Sequence, residues 1–323
     1  MTTADLLEKV AQVLIGLAVF AAVVGLVMFV VDRAPKKRRD VVQLVAFLAP
    51  ACILLAVGLI WPAARTTYLS FFSRSGQWAG LDNFIWIFTQ EDALITVRNT
   101  VIWVVLVPLL STAIGLAYAI FIDKSRGERF FKALVFMPMA ISFVGASIIW
   151  RFVYEYRQSG DPQIGLLNQI VTLFGAEPVR WIQEPPINTF LLIVVMIWIQ
   201  TGFAMVVLSA AIKGIPTEQI EAAQLDGTNA WQRFLNVTLP GIRGSLVVVL
   251  TTISIATLKV FDIVRTMTAG NFETSVIANE MVTQAFRAGE VGRGSALAVV
   301  LFILVLPIVI YNIRLLRQQR EIR

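Results

Sequence analysis

No histidine occurs in the 323 residues, and Cys52 is the one cysteine. The missing imidazole excludes histidine-based catalytic triads and, with a single thiol, most zinc sites. One cysteine also excludes an intrachain disulfide; Cys52 lies inside an apolar run and reads as a small apolar residue. Charge is scarce: Asp, Glu, Lys and Arg make up 15% of the chain, against about 25% in a soluble domain. No Ser/Gly linker, low-complexity stretch or internal repeat marks a second domain. No G-x-x-x-x-G-K-[ST] is present, which excludes a P-loop nucleotide site on this chain.

Apolar residues, by contrast, supply 57% of the sequence, and the mean hydropathy is +0.76. Charge-free runs long enough to cross a bilayer, about 17–25 residues each, cover 10–31, 41–64, 99–122, 133–150, 187–212 and 294–313. A seventh run opens at Ser245 and meets Lys259, so it continues to about Met267 only by carrying Lys259, Asp262 and Arg265. The pattern predicts an all-α membrane protein of about seven transmembrane helices in a lipid bilayer.

The intervening segments differ in charge. Residues 32–40, 123–132, 213–243 and 314–323 hold 16 Lys/Arg and 8 Asp/Glu; the N-terminus to Lys9 with 65–98, 151–186 and 269–293 holds 9 and 12. Orientation follows Lys/Arg, so the first set, with Lys36 and Lys124, is expected in the cytoplasm. The N-terminus then lies outside, and the C-terminus, with Arg314, Arg317, Arg320 and Arg323, lies inside. The pI near 9.7 is a topology signal, and nucleic acid is not an expected partner. The first run has a weak basic start and ends in a stop-transfer pattern, Asp32–Arg39, which favours a retained helix over a cleaved signal peptide. Residues 1–40 are therefore expected to form an extra helix with a basic linker, and 41–323 the main transmembrane domain.

The two external loops at 65–98 and 151–186 carry Trp78, Phe84, Trp86, Tyr154, Tyr156 and Trp181, among other aromatic residues. An interfacial belt accounts for some of them; the rest predict a small structured cap that a soluble partner touches.

The longest cytoplasmic loop, 213–243, predicts a short helix, a sharp turn and a second short helix. Pro216 begins the first at its first position, Gly227 ends it in the left-handed region, Asp226 or Thr228 caps the second, and Pro240 ends that one. Ala222 and Ala223 leave one side flat. Ile220, Trp231, Phe234 and Leu235 are apolar outside the bilayer and need burial, against this domain itself or against another protein.

Glu221-Ala222-Ala223, Asp226-Gly227 and Leu239-Pro240 resemble the "EAA" loop of ABC-importer permeases, with an Asp-Gly pair like that of the carbohydrate importers. The resemblance covers about residues 45 to 316 and includes Gly80–Phe84, Asn99-Thr100, Gly165–Asn168, Trp198–Gly202, Phe261-Asp262 and Gly294–Ala298. It is similar to the larger membrane subunit of the maltose type; Thr268–Phe272 looks most like α-glucoside importers. Gly244, where many relatives have proline, and the extra N-terminal helix depart from the pattern. The resemblance implies a type I importer core of six helices plus one, in the bacterial cytoplasmic (inner) membrane. It implies a second permease subunit, an extracytoplasmic solute-binding protein and an ATPase dimer. ATP and Mg would be bound by that partner, no cofactor by this chain, which is not an enzyme. The coupling residues would be Glu221, Ala222, Ala223, Asp226, Gly227, Leu239 and Pro240.

Two further groups are candidates for the solute pathway. Lys259, Asp262 and Arg265 recur on one side of a helix, as a self-neutralising pair facing a partner, a polar wall of the pathway, or a proton relay. Trp198, Gln200 and Thr201 combine an aromatic face with amide and hydroxyl groups that suit a sugar, or they pack helices through Gly202 and Ser209. The leading expectation is a sugar permease driven by a separate ATPase. The alternative is an ion-coupled secondary transporter of a small polar solute, for which Asp262 is the only deep carboxylate.

Overall fold

Long apolar runs have no water at mid-membrane to satisfy their peptide groups, so they close their own hydrogen bonds as helices. The computed structural model describes residues 3–35, 39–123 and 125–321; Lys36, Lys124 and Arg323 lie outside the described residues, as do the side chains of Arg317 and Arg320. Among the described residues the chain is helical, with one isolated bridge, Phe72 to Trp78.

The chain divides into two compact units, Met1–Tyr68 and Leu69–Arg323. The first comprises α1 (Thr3–Asp32) and nearly all of α2 (Arg39–Leu69), which has a π-helical turn at Ala56–Ile60. The second contains α3 (Asp82–Thr89), α4 (Glu91–Ile122), α5 (Glu128–Phe136), α6 (Phe143–Val153), α7 (Leu166–Leu173) and α8 (Ile187–Lys213). It continues with α9 (Thr217–Leu225), α10 (Ala230–Gly241), α11 (Arg243–Leu258), α12 (Asp262–Met267), α13 (Ile277–Val282) and α14 (Val291–Glu321). Among the described residues five helices are long and apolar enough to cross a membrane, or up to seven spans if each of two bent pairs counts as one.

The bends correct two expectations. The run 133–150 is not straight: a 3-10 turn at Met137–Ala140 and the capping Ser142, which accepts from the Gly145 amide at 3.1 Å, turn α6 by 102° from the segment before it. Pro138 sits at the start of that turn, where no donor is missed. The seventh run does not reach Met267 as one helix. α11 stops at Leu258, Lys259–Phe261 is irregular, and α12 starts anew at Asp262. Ending the helix leaves Lys259 exposed rather than held in an apolar span.

α8 is the centre of the second unit. It buries Leu192, Met196, Met205 and Leu208 completely or nearly so. Gly115 of α4 marks the crossing with α8, where a Cβ would lie 2.6 Å from Ala204 Cβ; Gly202 of α8 abuts α5, where a Cβ would lie 2.6 Å from the Val135 carbonyl. Small residues at these crossings allow close backbone approach.

Candidate coupling site and solute pathway

The loop 213–243 forms the helix, turn and helix expected of it. Pro216 stands at the N-cap of α9 with ψ 132°, one position before the expected one. Gly227 adopts φ +76°. Its amide donates to the Gln224 carbonyl at 3.0 Å, and that of Thr228 to the Ala223 carbonyl at 3.2 Å, which satisfies the end of α9. The cap of α10 is neither Asp226 nor Thr228. Asn229 accepts from the Gln232 amide, and the Gln232 side chain accepts in return from Asn229, each at 2.8 Å. This is a capping box written with Asn and Gln. Pro240 does not end α10; a π-helical turn at Phe234–Thr238 absorbs it, and helix runs on to Gly241.

Burial against this domain holds for part of the loop's apolar residues. Ile220 and Val237 pack on the unit's own core. Trp231 stacks on Phe234 at 5.4 Å but stays 66% exposed, and Leu225 is 89% exposed. Glu221, Ala222 and Asp226 are exposed beside them, whereas Ala223 is buried. The outer face of α9 therefore presents apolar and acidic groups together.

At the base of this loop lies a charge network that sequence spacing did not reveal. Asp123 closes α4, Glu128 opens α5, and Ser209 and Lys213 end α8. Lys132 Nζ lies 2.5 Å from both Asp123 Oδ1 and Ser209 Oγ, and 2.8 Å from Glu128 Oε1. The Ser209 hydroxyl is within 2.9 Å of both Asp123 carboxylate oxygens, and Lys213 pairs with Glu128. Ser209 therefore belongs to this network as well as to helix packing. Among the described residues two carboxylates and two ammonium groups balance.

On the pathway side, Trp198 and Thr201 line one cavity of about 360 Å³ with Tyr118, Trp150, Val135 and Pro138. Trp150 and Trp198 meet edge to face at 5.7 Å. Gln200 is buried and does not line it, as expected from residues about 100° apart on a helix. Lys259 is separated from the other two: the break after Leu258 takes it off the helix on which Asp262 and Arg265 stay three apart, and among the described residues no ion pair joins Lys259 to Asp262.

The loops at 65–98 and 151–186 are structured, organised with the 268–275 turn by buried asparagines whose roles spacing alone does not give. Asn83 donates to the Ser70 and Phe72 carbonyls, each at 2.9 Å. Asn168 donates to Glu155 and Val179 carbonyls at 2.9 and 3.0 Å and accepts from Trp181 Nε1 at 3.0 Å. Asn99 donates to the Glu273 and Ser275 carbonyls, and Asn188 to that of Phe272 at 2.7 Å. These last two clamp a turn in which Ala269, Phe272 and Glu273 all have φ between 56° and 58°, a region costly for side-chain-bearing residues.

Comparisons with known proteins agree with this architecture. Residues 111–322 match the family described as binding-protein-dependent transport system inner membrane component. An osmoprotective compounds uptake permease protein of Synechocystis sp. is 50% identical over 278 residues, 86% of this chain and 100% of the relative. An alpha-glucoside transport system permease protein of Rhizobium meliloti is 50% identical over 270 residues, 83% of this chain and 80% of the relative. A chain of a bacterial ABC transporter involved in the import of the acidic polysaccharide alginate superimposes with a TM-score of 0.74 at 24% identity, over 88% of this chain and 98% of that one, which shows a shared fold. With the family shown, the ion-coupled alternative is set aside. The chain belongs to the inner membrane components of binding-protein-dependent transport systems, as a permease subunit.

Proposed function

We propose that this subunit conducts a sugar or sugar-like solute, an α-glucoside or oligosaccharide, through the cavity that Trp198 and Thr201 share. The observation that carries the solute class is that cavity. Its volume falls in the range of about 300–1,000 Å³ typical of ligand sites. Two tryptophans and a tyrosine in its lining offer flat faces to sugar CH groups. The 50% identity to the alpha-glucoside and osmoprotective-compound permeases supports the same class. An ATPase dimer seats on the outer face of α9, where Glu221, Ala222, Asp226 and Gly227 are exposed, by helix-in-groove contact. Leu239 and Pro240 carry the chain back to α11. A second permease completes the pathway, and an extracytoplasmic binding protein delivers solute to the asparagine-clamped cap. ATP and Mg belong to the partner. The ATPase drives alternating access because it binds the loop differently in the two states.

The test is uptake of radiolabelled α-glucosides by cells lacking this gene, with the chain or its Glu221→Lys variant restored. The chain restores uptake, and Glu221→Lys does not, although it reaches the membrane. Undiminished α-glucoside uptake without the chain would refute the solute class; full uptake with Glu221→Lys would refute the coupling seat.

A further inference from the structure

Only Gly214, Ile215 and Pro216 separate Lys213, the last residue of α8, from the coupling helix α9. That link is braced: Ile215 is buried, and a Cβ on Gly241, at the far end of the loop, would lie 3.2 Å from Ile215 Cδ1. The network of Asp123, Glu128, Lys132, Ser209 and Lys213 sits immediately behind it. It ties together the ends of α4, α5 and α8, and the same three helices supply most of the cavity lining, including Tyr118, Val135, Trp198 and Thr201. Asp123 is only 11% exposed in its side chain and Ser209 is buried. Removing one partner would leave a buried charge uncompensated, so the joint holds or breaks as a unit.

We propose that Lys132 is a positioning residue that locks the ends of α4, α5 and α8 into one joint, through which movement of the coupling hairpin reaches the solute cavity. This rests on the coupling-seat reading above and deepens it. A loose joint lets α9 follow the ATPase while the cavity wall stays behind. ATP is then hydrolysed without a change of access.

The experiment uses the assembled complex in lipid nanodiscs, in a Cys52→Ser background, with Thr201→Cys as a reporter. Labelling of that thiol by a small maleimide is measured with and without a non-hydrolysable ATP analogue, and ATP hydrolysis is measured in parallel. With Lys132 present, the analogue changes the labelling rate. With Lys132→Met the complex assembles and hydrolyses ATP, but the nucleotide-dependent change shrinks roughly tenfold; Lys132→Arg restores it. An intact nucleotide response in Lys132→Met overturns the proposal. So does a loss of response and hydrolysis together in proportion to the assembled complex. Should Lys132→Met not assemble, the neutral pair Asp123→Asn/Lys132→Gln, which buries no lone charge, is measured instead. Failure of that pair to assemble makes the network a folding element and also overturns the proposal. Glu221→Lys runs alongside. If it leaves response and hydrolysis unchanged, the coupling seat fails and the joint with it. If it abolishes the response while Lys132→Met does not, the joint alone falls.

Discussion

Gly227 sits at φ +76° with no heavy atom within 4 Å of where a Cβ would stand. The cost of a side chain there is therefore one of backbone conformation and not of collision. Gly227→Val should cost about 1–2 kcal/mol in the turn, while Gly227→Asn, which tolerates this region, should cost less. Co-purification of the ATPase with each variant checks the order; equal retention would show that the turn does not set the seat. At the cavity, Thr201→Ala or Trp198→Ala should weaken solute handling by about 0.5–1.5 kcal/mol per lost contact. Gln200→Ala, behind the wall, should act on stability instead. The readout is the apparent affinity for uptake against thermal stability in detergent; an affinity loss confined to Gln200→Ala would reverse the assignment. Gly227 and the Trp198–Thr201 face were legible in the sequence because each depends on local geometry, a left-handed stop or a helical spacing. The Lys132 network was legible only in its local part, the i,i+4 pair with Glu128 and the nearby Asp123; the contacts that bring α8 to them join residues 77 to 86 positions apart, which no local spacing announces.

Among the elements, the long spans followed directly from apolar length, and their interruptions did not. A charge-free run such as 133–150 has the composition of a span; its 102° bend arises from a proline in a 3-10 turn followed by a serine cap, a combination that also occurs at an ordinary helix start. The split after Leu258 was hidden for the opposite reason, because charges three apart suggested one continuous face. Packing at the helix crossings gives a sharper expectation. A side chain on Gly115 would meet Ala204 Cβ at 2.6 Å and the Met205 amide nitrogen at 2.8 Å, whereas Gly58 in α2 has nothing within 4 Å. Gly115→Val should force α4 from α8 and lower stability by about 1–3 kcal/mol, with Gly58→Val near neutral in the same unit-by-unit comparison. Thermal aggregation followed by size-exclusion chromatography measures both. Equal midpoints would mean that the α4–α8 crossing is looser than its geometry. The asparagine clamps belong to this scale too: motif resemblance singled out Asn83, Asn99 and Asn168, but only the fold shows that each ties a distant or adjacent loop backbone in place.

For the whole molecule, the most apolar stretches of α1 and α2 bury nothing within their own unit. Their apolar surface is left for lipid or for protein outside that unit. Orientation in the membrane is expected from charge: 16 Lys/Arg in one set of segments against 9 in the other, a bias that predicts the richer set in the cytoplasm. On that expectation the network and the 213–243 hairpin lie on the cytoplasmic side, and the asparagine-clamped loops on the other. Single thiols in a Cys52→Ser background test this in intact cells with an impermeant maleimide. Cys52 is itself exposed on the chain and must be removed. Within 151–186 the suitable probe position is Phe174, 87% exposed, whereas the Asn168 side chain is buried and bonded to the loop it organises. Gln77→Cys and Phe174→Cys should be labelled from outside, and Gln219→Cys, on the exposed side of α9, only after permeabilisation. Labelling of position 219 in sealed cells, with positions 77 and 174 protected, would invert the topology and move the ATPase seat to a compartment without ATP.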